Sequence, residues 1–221
     1  MKIIVFGATG MVGQSALREC LLDEQVDQVL TIGRNRTGKQ HNKLREIELG
    51  DLTDLSSVEN EIIGYDACFF CLGVSAAGMK EDEYRKITYD ITLSVAETLA
   101  QLNPQMTFIY VSGSGTDSSE KGRSMWARVK GKTENDLLRL SFKEAYMFRP
   151  GLIIPMHGVK SKTKMYQYIY AIIKPFYPLL KKLSIVISSE QVGKAMIRIA
   201  RYGYSEAIIE SSELKKVSIM K

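Results

Sequence analysis

Short apolar runs and amphipathic stretches alternate along most of the chain. Ile3-Ile4-Val5-Phe6 is a continuous apolar run, the pattern of a strand buried on both faces of a parallel sheet. Met11–Leu22 follows with helical spacing of apolar residues. Further strands are predicted at Asp27–Ile32, Leu44–Leu49, 66–72, Met106–Val111 and Ala145–Phe148. Between them the pattern predicts a helix over Asp54–Ile63, with Thr53 or Asp54 as its cap. A long helix over Glu81–Leu102 stops at Asn103-Pro104, and another covers Met125–Leu140. Later in the chain, Ile185–Ile187 reads as a strand. Ser188 or Ser189 then opens a helix through Ala200 that leaves Glu190, Arg198, Arg201 and, beyond it, Glu206 on the surface. Strictly alternating strands and helices require crossovers, which gives an α/β fold: a doubly wound parallel sheet with helices on both faces. One domain is expected over 1–221, with a core at 1–155 and a short helical substrate-side extension at 156–221.

In such a sheet the ligand lies beyond the carboxyl ends of the strands. The residues just past them are Arg34, Asp51, Leu52, Cys71, Leu72, Gly73, Ser112, Ser114, Pro150 and Gly151. Gly7, Gly10 and Gly13 stand between the first strand and the first helix. Gly7 permits the turn, Gly10 lets a pyrophosphate approach the backbone, and Gly13 lets helix and strand pack closely. The free amides and positive dipole end of the helix face the phosphates. This context points to a dinucleotide. An NAD site usually carries Asp or Glu after the second strand, whereas this chain has Gly33-Arg34. Glycine cannot repel a 2′-phosphate and a guanidinium grips one in bidentate fashion, so NADP is favoured over NAD. Arg36 is a second candidate.

Charge divides the 221 residues unevenly. Residues 1–110 carry a net −6 and residues 111–221 a net +11, within a total of +5. The basic second half suggests either a small, anionic substrate or a solvated basic face. No recognition helix or stacking platform stands out, so nucleic acid is not an expected partner. Cys20, Cys68 and Cys71 form no disulfide framework and the N-terminal apolar run is too short for a signal peptide, so a cytoplasmic location is expected. Cys68-Phe-Phe-Cys71 matches a redox spacing but sits in a strand, where residues three apart face opposite sides. With only His41 and His157 besides, no metal site is expected. The aromatic stretch Met165–Leu183 is interrupted by Lys174, Pro175 and Pro178. It reads as a helix pair, a lid or a dimer surface; a membrane span is excluded and interfacial membrane contact is disfavoured.

Several motifs together resemble the atypical short-chain dehydrogenase/reductases, relatives of the NAD-dependent epimerase/dehydratases. They are G-A-T-G-M-V-G at 7–13, G-D-L at 50–52, C-L-G at 71–73, Y-V-S-G-S-G at 110–115, V-K-G at 129–131 with Glu134, and F-R-P-G at 148–151. The nearest branch is the Tat-interacting-protein-like one, with bacterial nucleoside-diphosphate-sugar epimerase-like proteins; NmrA-like regulators are more distant. The resemblance covers about residues 3–155 and implies an NAD(P)-binding Rossmann fold. It also implies that Thr9, Met11 and Val12 contact the pyrophosphate, Asp51 and Leu52 flank the adenine, and Leu72 and Gly73 the ribose. Pro150 and Gly151 fall near the nicotinamide.

The family's chemistry runs on Ser, Tyr and Lys, with Tyr and Lys one helical turn apart. The serine falls on Ser112 or Ser114 and the lysine on Lys130; the tyrosine position holds Trp126. An indole N–H donates a hydrogen bond but does not transfer a proton, so cofactor binding is expected to survive while ordinary alcohol–ketone chemistry is in doubt. Two readings follow. One is an NADPH-dependent reductase or sugar-nucleotide-modifying enzyme whose proton comes from Tyr89, His157, a tyrosine within 166–170, or a water held by Ser114. The other is a non-catalytic NADP(H) sensor that binds a protein partner.

Overall fold

A computed structural model describes residues 1–159, 177–180 and 183–220. Most of the aromatic stretch, including the tyrosines of 166–170, lies outside the described residues. Seven parallel strands form the main sheet in the order β3 (Leu44–Glu48), β2 (Gln28–Gly33), β1 (Lys2–Phe6), β4 (Ala67–Phe70), β5 (Thr107–Val111), β6 (Glu144–Arg149) and β9 (Ile208–Glu210). The chain runs outward from β1 in both directions, which is the doubly wound order, and places the switch point between β1 and β4. A second, two-stranded parallel sheet pairs β7 (Leu152–Ile154) with β8 (Val186–Ser188).

Each face of the main sheet carries its own core. On one side Ile3, Val5, Phe69, Ile109 and Phe148 pack under α1 (Met11–Leu22), α7 (Ser189–Tyr202) and α8 (Ser211–Val217). On the other, Ile4, Phe6, Phe70, Phe108 and Tyr110 meet the long helical segment over 81–102 and α5 (Met125–Leu137). Cys68 belongs to the second core and Cys71 packs against the first, so alternation along β4 separates the two thiols.

Three elements depart from the sequence pattern. The helix expected over Asp54–Ile63 is a 3₁₀ turn, Ser56–Val58, followed by the short α2, Glu59–Ile62. Asp54 uses its carboxylate on the Ser56 amide (2.9 Å), a local turn that competes with a helix start. Glu81–Leu102 is interrupted: α3 (Glu81–Arg85) and α4 (Ile91–Leu102) flank a π-helical turn, Lys86–Asp90. The extension after residue 155 also divides, because β9 joins the main sheet and α7 packs on α1, on the cofactor half of the molecule. Short α6 (Tyr177–Leu180) precedes β8. Of the two serines expected to open the later helix, Ser188 caps α7; its hydroxyl accepts from the Gln191 amide (3.1 Å) and the Gln191 side chain answers the Ser188 amide (3.0 Å).

Candidate functional site

The turn between β1 and α1 is forced by contact. Gly7 has φ +75°, and a Cβ there would stand 2.6 Å from the Leu72 amide nitrogen. A Cβ on Gly13 would lie 2.2 Å from the Gly7 carbonyl oxygen, so only glycine lets helix and turn come this close. Gly10 begins α1 with no side-chain cap and no acidic residue in the first turn. The early amides of α1 and the positive end of its dipole therefore remain available to an anion.

A cleft of about 440 Å³ opens above this turn. Gly7, Thr9, Gly10, Gly33, Arg34, Asp51, Leu52, Leu72 and Gly73 all line it, joined by Thr31, Asn35, Ile87 and Ile91. A Cβ added at Gly33, Gly50 or Gly73 would meet no atom within 4 Å and would stand in open space, so three glycines leave a backbone-walled cradle. Met11, Val12 and Gly13 are not on the lining; they start α1 directly behind it. Arg34 is exposed and makes no ion pair with a described residue. Arg36 instead pairs with Glu48 (3.1 Å) and is off the lining. Glu46, on the neighbouring strand, is held by Thr31 (3.0 Å) and the Thr37 amide (2.9 Å). Hydrogen bonds from Thr53 to Asp51 (2.7 and 2.8 Å) keep that carboxyl below its usual range.

A second pocket, about 590 Å³, adjoins the first; Val74 and Ser75 line both. Ser112, Ser114, Trp126, Lys130, Pro150 and Gly151 come together here. They arrive from three segments, the loops after β5 and β6 and the first turns of α5. Lys130 follows Trp126 by one turn, and its Nζ donates to the Ser112 carbonyl beside the Tyr110 ring, 6.0 Å from the centroid. Burial pushes the Lys130 ammonium down to about 8, against an opposing pull from Glu134. Glu134 is fully buried and accepts from Arg149 Nε at 3.1 and 3.2 Å. Arg149 also reaches Ser118 (2.5 Å) and Glu210 (3.5 Å), so one guanidinium joins α5, β6, β9 and the serine loop. The Ser112 hydroxyl is committed to the Phe148 carbonyl (3.0 Å). Ser114 anchors through its backbone, its amide donating to the Pro150 carbonyl (2.9 Å).

Two of the proposed proton sources are elsewhere. Tyr89 donates to Asp136 (2.7 Å) and lines a separate depression with Arg85 and Lys132. His157 faces Glu190 (2.7 Å) in a groove between α1 and α7, on neither cleft. The neighbouring charges are engaged too: Arg201 pairs with Asp23 (2.7 Å), Arg198 lies 5.1 Å from the Tyr202 ring centroid, and Glu190 also binds Lys194 (2.5 Å). Arg198, Arg201 and Glu190 are half-buried along this surface groove; long polar side chains on adjoining helices pair when their stems pack. Tyr84 is a lining residue that the sequence pattern did not suggest, as are Ala76, Ala77 and Leu152. The π turn supplies the reason: it lets Tyr84 reach one pocket while Ile87 and Ile91 wall the other. Burial pushes the Tyr84 hydroxyl up.

Among the described residues no helix is long and apolar enough to cross a membrane. Known proteins resemble the chain over most of its length. The protein FMP52-2, mitochondrial, of Scheffersomyces stipitis is 28% identical over 222 residues, 98% of this chain and 92% of its own. HTATIP2 of Rattus norvegicus is 27% identical over 155 residues, 69% of this chain and 63% of its own. Among solved structures, Bordetella bronchiseptica WbmF in complex with NAD+ superposes with TM-score 0.68 at 16% identity, over 97% of this chain and 76% of that one. DesIV, a dTDP-glucose 4,6-dehydratase of Streptomyces venezuelae with NAD and TYD bound, gives 0.70 at 15%, over 99% and 80%. At such identities these structures establish the Rossmann-like fold.

The expected cytoplasmic location does not stand. The relatives from Scheffersomyces stipitis, Kluyveromyces lactis and Aspergillus terreus are all named as mitochondrial proteins. Unpaired cysteines exclude only an oxidising compartment and do not discriminate among reducing ones. The model of the nicotinamide-dinucleotide-dependent NAD dependent epimerase/dehydratase family matches residues 3–123, the strands and glycine turn that form the first cleft. With more than half its length matched, this chain belongs to that family.

Proposed function

We propose that this chain is an oxidoreductase of the short-chain dehydrogenase/reductase type that prefers NADP(H) to NAD(H). The observation that carries the preference is Arg34, an exposed guanidinium beside Gly33 on the rim of the glycine-walled cleft. The backbone cradle at Gly33, Gly50 and Gly73 supports the fit of a dinucleotide, since side chains there would occupy its space. The start of α1, with Thr9, Met11 and Val12, holds the diphosphate, Asp51 and Leu52 flank the adenine, and Leu72 and Gly73 the adjoining ribose. Pro150 and Gly151 lie at the nicotinamide end. The bound dinucleotide supplies or accepts hydride. Lys130 offers a cation below about pH 8 for ribose hydroxyls or a developing oxyanion, and Ser114 is positioned to hold a water. Lys130 is the one charged side chain among the described residues lining the second pocket.

Thermal melting with NADPH and NADH tests the reading. A ligand at about 100 times its Kd adds about 2.7 kcal/mol to the native state, so NADPH is expected to raise the melting temperature more than NADH does. Arg34→Ala is expected to erase that difference. Equal, negligible shifts with both nucleotides would overturn the assignment.

A second reading, a non-catalytic NADP(H) sensor with a protein partner, draws on Trp126, which carries no transferable proton one turn before Lys130. Reductase activity that Trp126→Tyr creates in an otherwise inactive protein would favour it.

A further inference from the structure

Trp126 restricts the kind of acceptor that the second pocket can reduce. We infer that this pocket takes a planar, conjugated dicarbonyl of the quinone class, stacked against the Trp126 indole. The inference rests on the reductase reading and names its substrate class.

The argument begins with proton supply. A simple ketone that receives hydride becomes an alkoxide, a base strong enough to need a positioned acid as it forms. The indole at position 126 offers none. Among the other described lining groups, the Ser112 hydroxyl is held by the Phe148 carbonyl at 3.0 Å, Lys130 Nζ gives one N–H to the Ser112 carbonyl and serves as a charge, and Tyr84 is only 1% exposed. A water held by Ser114 is a far weaker acid than a tyrosine phenol. A quinone avoids this requirement. It gains one hydride from the reduced nicotinamide dinucleotide, leaving the oxidised dinucleotide and a hydroquinone monoanion. That monoanion is a phenolate, whose conjugate acid titrates at about 10 like the phenol of tyrosine, so it takes its second proton from water after the electron pair has moved.

The shape of the pocket agrees with a flat ring. Val74, Ala76, Ala77 and Leu152 provide small or apolar walls, and among the described lining residues Trp126 is the one aromatic side chain besides buried Tyr84. The benzo edge of the indole rests beside Gly115, where an added Cβ would stand 3.4 Å from Cη2. Gly115 has φ +85°, so both the backbone and the close approach of the indole favour glycine there. An aromatic acceptor stacked on the indole gains offset or edge contacts beyond plain burial. Lys130, one turn away, provides the positive charge for the phenolate oxygen.

Trp126 is the only tryptophan in the chain, so its emission reports on the pocket with no cofactor and no turnover. Titrating the protein alone with 1,4-naphthoquinone is expected to give saturable quenching at micromolar concentration. N-acetyltryptophanamide, under the same conditions, gives only linear collisional quenching, and cyclohexanone quenches neither. In the presence of NADPH, naphthoquinone is expected to be reduced at least tenfold faster than cyclohexanone. Trp126→Ala should raise KM for the quinone roughly tenfold while Trp126→Phe stays within about threefold, with melting curves verifying that both variants fold. Linear quenching matching the free amino acid, cyclohexanone turnover equal to quinone turnover, or an unchanged KM in Trp126→Ala would overturn the inference. Saturable quenching without NADPH oxidation by any acceptor would instead sink the reductase reading and leave the pocket's preference for flat rings standing.

Discussion

The two clefts that meet at Val74 and Ser75 are constructed from different materials. The first is mostly main chain, a glycine turn whose neighbours are Leu72 and Gly7 themselves, with Arg34 as its outlying cation. The second is made of side chains that arrive from separate segments, among them Trp126 and Lys130 from α5, Ser112 and Ser114 from the loop after β5, and Leu152 from β7. A backbone cradle suits a ligand common to many proteins, because amides and dipoles recognise phosphate irrespective of side chains. A side-chain pocket can change its chemistry by one substitution, and Trp126 lines this one.

The sharpest way to break the contrast is at the glycine turn. Gly13→Val drives a Cβ into the Gly7 carbonyl and is expected to cost about 3 kcal/mol or more in denaturant unfolding. Gly73→Ala, which enters open space in the cleft, should stay within about 0.5 kcal/mol of the parent yet weaken NADPH binding. If both variants lose stability alike, the cradle is structural and nothing more.

Next in size is the support behind the second pocket. Glu134→Ala leaves the Arg149 guanidinium without its buried partner, and removing one member of such a pair costs about 3 kcal/mol. Unfolding of Glu134→Ala and of Glu134→Ala/Arg149→Met should separate the penalty of the stranded charge from the worth of the pair. A double variant no more stable than the single one would show that the pair itself holds α5 to β6.

Arg34→Ala is expected to reduce the preference for NADPH over NADH by about tenfold, the scale of one charge-assisted contact. Direct titration with both nucleotides measures it, and an unchanged preference would place the discriminating charge elsewhere.

The smallest effect lies far from either cleft and serves as a control. Hydrogen bonds from Lys194 and His157 hold the Glu190 carboxyl down at about 2, against an ordinary 4.5. Its folded value lies below its unfolded one, so its stabilisation is complete above about pH 4.5 and disappears as the pH falls towards 2. Glu190→Gln should flatten that acid limb of the melting temperature without changing the NADPH shift at neutral pH.

Much of this could be read along the chain. Strands appear as runs such as Ile3–Phe6 and Phe108–Val111, and the glycine turn announces itself by its place between strand and helix. Local competition was less legible: the Asp54 carboxylate takes the Ser56 amide and replaces a regular helix start by a 3₁₀ turn. The π turn at Lys86–Asp90 leaves no mark on hydrophobic periodicity, so Tyr84 escaped notice although it lines the pocket. Short β7 and β9 carry too few residues to show alternation, and their pairing depends on partners distant in sequence.

What the amino-acid order determined alone was whatever depends on neighbours: the alternation of strand and helix, the early glycine turn, and an indole one turn before Lys130. The tertiary structure decided which distant groups meet. It turned Arg36 to Glu48 and left Arg34 facing the cleft, and it sent His157 and Tyr89 to carboxylates on the outer surfaces. It also joined two clefts into one crevice. Those outcomes depend on register, packing and ion pairing between segments far apart in the chain, which no local pattern encodes.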